Sequence, residues 1–169
     1  MKIRKSCPAD TQSLLALFDE ARKTIASLGI NQWQNGYPNR EAVDEDLSKN
    51  RSYIVENEGL LAGTFAIIDD GEPTYDVIHN GQWKTGDTDN YIAVHRVAAS
   101  VAMRGKGVST AIVEFAKECA VSLGRKSVRI DTHEGNVVMR RMLEKHGFEY
   151  CGVIYLENGD PRVAYELLV

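Results

Sequence analysis

Residues 91–132 constrain the fold more than any other part of the chain. Tyr91 to Ala99 is a nearly continuous apolar run broken by His95 and Arg96, the pattern of a central strand covered on both faces. Arg104-Gly105-Lys106-Gly107-Val108-Ser109-Thr110 follows, and then a helix in which Val108, Ala111, Ile112, Phe115, Ala116, Cys119, Ala120 and Leu123 keep the i, i+3, i+4, i+7 spacing. Gly124 closes that helix. Ser127–Thr132 then alternates, with Val128 and Ile130 on one face and Arg129, Asp131 and His133 on the other. Strand, glycine turn, helix and strand make a βαβ unit.

The glycine turn reads as an anion-binding loop. Gly105 and Gly107 let the backbone bend and approach a ligand without a Cβ in the way. The helix behind them leaves its first N–H groups without intrahelical partners, and its dipole favours a phosphate there. Arg104 and Lys106 add charge; Ser109 and Thr110 add hydroxyls. A plain strand-to-helix turn with solvated basic residues is the competing reading. Two common nucleotide loops fit poorly, because Lys106 precedes the second glycine of a would-be P-loop and Thr110 stands where a dinucleotide fingerprint needs Gly or Ala.

Around this unit the chain reads as follows. Ile3–Ser6 is extended and stopped by Pro8. Asp10 can cap a helix whose apolar positions run from Leu14 to Leu28, with Gly29 as its stop. Ile30 to Asn39 is a loop rich in aromatic and amide side chains, either pinned to the surface by Trp33 or forming a pocket wall with Trp33 and Tyr37. Arg40 to Ser48 is a short acidic helix. Ser52–Glu56 and Leu60–Ile68 are strands joined by a hairpin turn at Asn57-Glu58-Gly59. Asp69 to Asn90 is long for a loop in a compact domain, so it is either a functional flap or holds a short helix around Tyr75–His79. Gly135-Asn136 opens a further helix with Val138, Met139, Met142 and Leu143 as its apolar face, and Phe148–Leu156 and Arg162–Leu168 are two last strands. The resulting order is βααβββαβαββ, an α/β (α+β) chain with a mixed sheet and helices on its faces.

Composition narrows the function. With 169 residues, 43% apolar and 26% charged, the chain suits a single domain over 1–169. A net charge of −4 with no basic block argues against nucleic acid. Met1 to Lys5 is basic but leads into Pro8-Ala9-Asp10 rather than an apolar stretch, and no apolar span long enough for a membrane follows, so a cytoplasmic protein without a membrane partner is expected. Cys7, Cys119 and Cys151 lack the spacing of a disulfide framework or zinc site, and no metal is expected.

Four stretches resemble the GCN5-related N-acetyltransferase (GNAT) superfamily: His95-Arg-Val-Ala-Ala-Ser100, Arg104-Gly-Lys-Gly-Val-Ser109, Asn136, and Glu144-Lys-His-Gly-Phe148. The family loop is Arg/Gln-x-x-Gly-x-Gly/Ala, matched here with Ser109 at its last position. The resemblance covers Tyr91 to Val169. It implies a central, mostly antiparallel mixed sheet flanked by helices and transfer of an acyl group from acetyl-CoA to an amine, small molecule or peptide. It places the CoA pyrophosphate on Arg104 to Thr110 (Arg104, Gly105, Lys106, Gly107, Val108, Ser109 and Thr110), the pantetheine arm on main-chain groups of Val97, Ala98 and Ala99, and a further cofactor contact on Asn136, which is equally good as a helix cap.

One departure stands out. Many members carry a Tyr seven residues after that Asn, where it protonates the leaving thiolate; here the position is Leu143. Tyr155, Tyr150, Cys151 or solvent could replace it. His95 and His133 have the chemistry of a general base near neutral pH, and either could equally be structural. Glu72 and Asp76 are candidate carboxylates for a cationic acceptor, and Trp33, Tyr37, Glu72 and Tyr75 are the expected acceptor-side residues. A domain that binds acyl-CoA without turnover is the alternative, and a nucleotide-phosphate enzyme is a third reading. The acceptor class is an amine, small molecule or peptide, and a homodimer stays open.

Overall fold

The computed structural model describes residues 1–86 and 89–169. Its elements are β1 (Lys2–Lys5), α1 (Thr11–Ala26), α2 (Arg40–Ser48), β2 (Ser52–Asn57), β3 (Leu60–Ile68), β4 (Tyr91–Ala99), α3 (Val108–Ser122), β5 (Ser127–Thr132), α4 (Val137–Lys145), β6 (Glu149–Tyr155) and β7 (Pro161–Leu168). The order is the expected one. The strands make a seven-stranded mixed sheet, β1-β2-β3-β4-β5-β7-β6, flanked by helices. β4 and β5 run parallel; β1/β2, β2/β3, β5/β7 and β6/β7 are antiparallel. The chain divides into two compact units, residues 1–67 with 96–112 and residues 68–95 with 113–169.

In the first unit, Leu14, Leu17 and Phe18 of α1 pack with Val43 of α2, Ile54 of β2 and Ala98 of β4, and Trp33, Leu47 and Leu61 lie against them. Asn39 caps α2 by accepting the N–H of Ala42 at 3.0 Å. Asp10 does not cap α1 with its side chain. Its carboxylate accepts instead from the N–H of Cys7 at 2.8 Å and from Arg4 at 2.9 Å, so it stabilises a 3-10 turn over Pro8–Asp10. The β2–β3 turn has left-handed Glu58 and Gly59, at φ 52° and 80°, as a tight hairpin requires. Gly63 is needed for closeness: a Cβ there would stand 2.7 Å from Val108 Cγ1 and 3.0 Å from the carbonyl of Ala98. Beside it the N–H of Ser100 donates to the carbonyl of Ala62 at 3.0 Å.

In the second unit the core is Ile68, Tyr75, Trp83, Tyr91, Ala93, Cys151, Ile154 and Ala164. The segment 69–90 therefore supplies core rather than lying as a flap, with Tyr75 and Trp83 each only 2% exposed. Residues 87 and 88 of that segment lie outside the described residues. The helix expected around Tyr75–His79 is instead a 3-10 turn at Pro73–Tyr75, started by Pro73 and capped by Glu72, whose carboxylate accepts the N–H of Thr74 at 3.2 Å. Beyond it the chain extends, and His79 makes a two-way backbone bridge with Val153 at 2.8 Å.

Two expectations for this unit change. Arg129, placed on the polar face of β5, is buried. Its Nε donates to Glu166 Oε1 at 3.0 Å, and its guanidinium stacks 4.2 Å from the ring of Trp83 and 4.1 Å from that of Tyr91. Glu166 also accepts from the hydroxyls of Ser127 and Thr85, each at 2.6 Å. Burial alone would raise its pKa; these donors and the Arg129 charge outweigh that and hold the carboxyl below its usual range. On α4, Val138 is 64% exposed rather than part of the apolar face, and Leu143 is fully buried.

Candidate active site

The glycine turn is built in three steps. A 3-10 turn at Val101–Met103 ends β4, and the buried Met103 anchors it. Gly105 and Gly107 follow in left-handed conformations, at φ 72° and 84°, and α3 begins at Val108. A Cβ on either glycine would meet nothing within 4 Å. Within the chain itself their requirement is therefore conformational, since both sit at positive φ. The first backbone bond of the helix runs from the N–H of Ala111 to the carbonyl of Gly107 at 3.0 Å, so the N–H groups of Val108, Ser109 and Thr110 precede the ladder. With Arg104 and Lys106 exposed beside them, this cradle has the donors and the open space that a phosphate needs. Arg104 itself reaches the hydroxyl of Thr24, 3.4 Å away.

β4 is irregular where it approaches this loop. It pairs with β5 only from Tyr91 to Ala93, against Ser127 to Arg129, although β5 continues to Thr132 and β4 to Ala99. Three residues on, Arg96 has φ 54°, a left-handed conformation for a long side chain within a strand. Such a residue persists only where its surroundings fix it. Nε of Arg96 donates to the Tyr37 hydroxyl at 2.6 Å, and Nη1 lies 2.9 Å from Asp46 of α2, a residue 4% exposed. Sequence reading passed over both Arg96 and Asp46. The available signal was Asp46 itself, a carboxylate three residues after Val43 on the buried face of α2.

His95 precedes Arg96 on β4 and belongs to the second unit. Its Nε2 lies 3.1 Å from Oε2 of Glu72, close enough for an ion pair but off the line of a well-formed hydrogen bond. Burial would raise the pKa of Glu72, but contact with His95 and donation from the N–H and hydroxyl of Thr74 hold it at about 2. The His95 ring stacks on Tyr75, with centroids 5.8 Å apart and planes at 22°. Tyr75 donates its hydroxyl to Oδ1 of Asp131 at 2.7 Å, and burial together with the Asp131 charge raises its pKa well above the usual phenol value. Two carboxylates, one imidazole and one phenol are thus gathered. Tyr75 is a wall behind His95.

The remaining predicted residues are placed as follows. Asn136 accepts the N–H of Met139 at 3.2 Å and caps α4. Nδ1 of His133 accepts the N–H of Gly135 at 3.0 Å, a structural bond in the turn before α4. Tyr155 is half exposed at the end of β6, edge-on to His79 at 5.1 Å; Tyr150 is also half exposed. Cys151 is buried, which pushes its thiol pKa up, so it is a core residue and a poor acid for a thiolate. In the first unit Trp33 packs on Phe18 and Tyr37. Asp76 is exposed. Among the described residues no three His, Cys, Asp or Glu side chains gather as a metal site, and no helix is long and apolar enough to cross a membrane.

The family model of the acetyltransferase (GNAT) family matches residues 14–148, which takes in both the glycine cradle and the irregular strand. The chain belongs to the GNAT acetyltransferase family. A GNAT-family acetyltransferase structure from Streptococcus agalactiae is 34% identical to it and superposes with a TM-score of 0.86 over 99% of this chain and 95% of that one. One from Listeria monocytogenes, 23% identical, shares the fold at a TM-score of 0.74 over 99% and 94% of the two chains. A streptothricin acetyltransferase of Escherichia coli is 31% identical over 88 residues, 51% of each chain. This GNAT chain thus spans about half the length of the curated relative it matches. Unlike the members with a Tyr at the corresponding position, it has Leu143 sealed in the core.

Proposed function

We propose that residues 1–169 act as one N-acetyltransferase domain that moves an acetyl group from acetyl-CoA to a primary amine by direct attack. The observation that carries this reading is the end of β4–β5 pairing at Ala93, on a strand that leads into the glycine cradle. Main-chain groups of Val97 to Ala99, on the side where β4 has left β5, would pair with an extended pantetheine arm. The cradle N–H groups, with Arg104 and Lys106, suit the pyrophosphate, and Asn136 would add a contact beside its capping role. Acetyl-CoA supplies a thioester carbonyl that an uncharged amine can attack.

This chain's residues then have two tasks. A base must take a proton from the acceptor ammonium, which otherwise has no lone pair, and His95 on the same strand is the group assigned to it. A backbone N–H of β4 near Val97 would stabilise charge on the carbonyl oxygen. No side chain is assigned as acid, since Cys151 is buried and Tyr155 packs against His79; solvent can protonate a thiolate. The relative named streptothricin acetyltransferase makes streptothricin the first acceptor to test.

The test is thiol release from acetyl-CoA with a panel of amines: streptothricin, polyamines, amino acids and peptides with free N-termini. Release above background with one class is expected. Leu143 favours a second reading, a domain that binds acyl-CoA without turnover. Micromolar acetyl-CoA binding with no release for any acceptor would select it.

A further inference from the structure

A histidine can serve as a base only when one ring nitrogen presents its lone pair to the substrate, and which nitrogen does so is set by the partner of the other. In this chain the partner is Glu72. Its Oε1 is occupied by the hydroxyl of Thr74 at 2.8 Å and the N–H of Thr74 at 3.2 Å, which fixes the carboxylate to the 3-10 turn. Its backbone N–H donates to the Tyr91 hydroxyl at 3.2 Å, which ties the same residue to β4. The remaining oxygen, Oε2, lies 3.1 Å from the buried Nε2 of His95 but off the line of a hydrogen bond, so it is the carboxylate's negative charge, not a formed bond, that favours a proton on that nitrogen. Tyr75, itself held by Asp131, covers one face of the ring.

We propose that Glu72 is a positioning residue that keeps the Nε2–H tautomer of His95, so that Nδ1 is the nitrogen that receives the acceptor's proton. This rests on the assignment of His95 as base. The groups that face the imidazole are Glu72 from the turn and Tyr75, with Asp131 of β5 and then Tyr91, on whose ring Arg129 lies, in contact with Tyr75 behind it. The Glu72 carboxylate, 3.1 Å from Nε2, thus puts a negative charge against the ring. A proton moved from the acceptor ammonium to Nδ1 makes an imidazolium beside an anion. The freed amine forms its bond to the carbonyl carbon, the C–S bond breaks, and the thiolate leaves with the electron pair to be protonated by solvent.

Two measurements on the full chain test this. Nitrogen-15 spectra of the imidazoles, taken without substrate at a pH where His95 is neutral, should show the Nε2–H tautomer in the wild type and a mixture in Glu72→Ala. Profiles of kcat/KM against pH should show about a tenfold loss on the plateau in Glu72→Gln, with the KM for acetyl-CoA unchanged. A wild-type Nδ1–H tautomer, or a Glu72→Gln profile that superposes on the wild type, would overturn the proposal. So would full activity in His95→Gln. If no amine is acetylated at all, the enzymatic reading falls while the tautomer measurement still decides the role of Glu72.

Discussion

The carboxylate of Asp46 on α2 holds the guanidinium of Arg96 on β4 at 2.9 Å, across 50 residues of sequence. Both side chains are largely buried, at 6% and 14% exposure. The pair locks the one strand residue of β4 whose backbone is left-handed, so it couples a helix to the shape of the strand that leads into the glycine cradle.

Asp46→Ala should therefore lower stability by about 3 kcal/mol, because a largely buried charge loses its counter-ion. Tyr37→Phe, which removes only the hydroxyl that Arg96 donates to, should cost about 1 kcal/mol. Chemical denaturation of the two variants measures both. Acetyl-CoA affinity should fall further in Asp46→Ala than in Tyr37→Phe, and the opposite order would show that the ion pair does not shape β4.

Gly107→Val places a β-branched side chain at φ 84° with open space around it. An added Cβ meets nothing within 4 Å, so the cost is backbone strain in the loop, of about 1–3 kcal/mol. The expected result is a folded protein by circular dichroism with acetyl-CoA binding lost by calorimetry. Retained affinity would refute the phosphate role of the cradle.

The βαβ unit was legible because its information is local: glycine positions, helical spacing and an apolar strand lie within 42 residues of each other, and the bounds of α2, β3, β4 and β5 follow directly from pattern. What escaped the sequence is long-range. Arg129 looks like a solvated residue of an alternating strand until Trp83, Tyr91 and Glu166 arrive from three other segments. The 69–90 segment looks loose because its two buried aromatics, Tyr75 and Trp83, are separated by polar and glycine residues with no period. Asp46 and Arg96 each break a hydrophobic pattern, and only their meeting in space explains both.

Glu166→Leu should be severely destabilising, by roughly 3–5 kcal/mol, since it leaves the Arg129 guanidinium buried without its anion. Replacing both at once, as Arg129→Met with Glu166→Leu, should recover part of that loss. Denaturation midpoints of the single and double variants give the coupling directly, and strict additivity would show that the two side chains act independently.

Acid should weaken the fold through Asp10. Donation from Arg4, and then from the Cys7 N–H, outweighs desolvation and lowers its pKa from 3.8 to about 2. Between these values the unfolded chain binds more protons than the folded one, so the stability that Asp10 adds is complete above pH 4 and disappears as pH falls through about 2. Asp10→Asn should be less stable than the wild type at pH 6, with the difference closing toward pH 2. A constant difference across that range would show that the titration is not linked to folding.

The backbone bridge between His79 and Val153 carries one more consequence. β6 is the last strand of the sheet, and an outermost strand offers unpaired N–H and C=O groups to any other chain. His79 occupies those groups at Val153, and Gly81 presses so close to Cys151 that a Cβ would stand 1.9 Å from its carbonyl oxygen. The segment that supplies Glu72 to the histidine thus also shields an exposed sheet edge, and Gly81→Ala should be seen first as self-association during refolding rather than as a loss of chemistry.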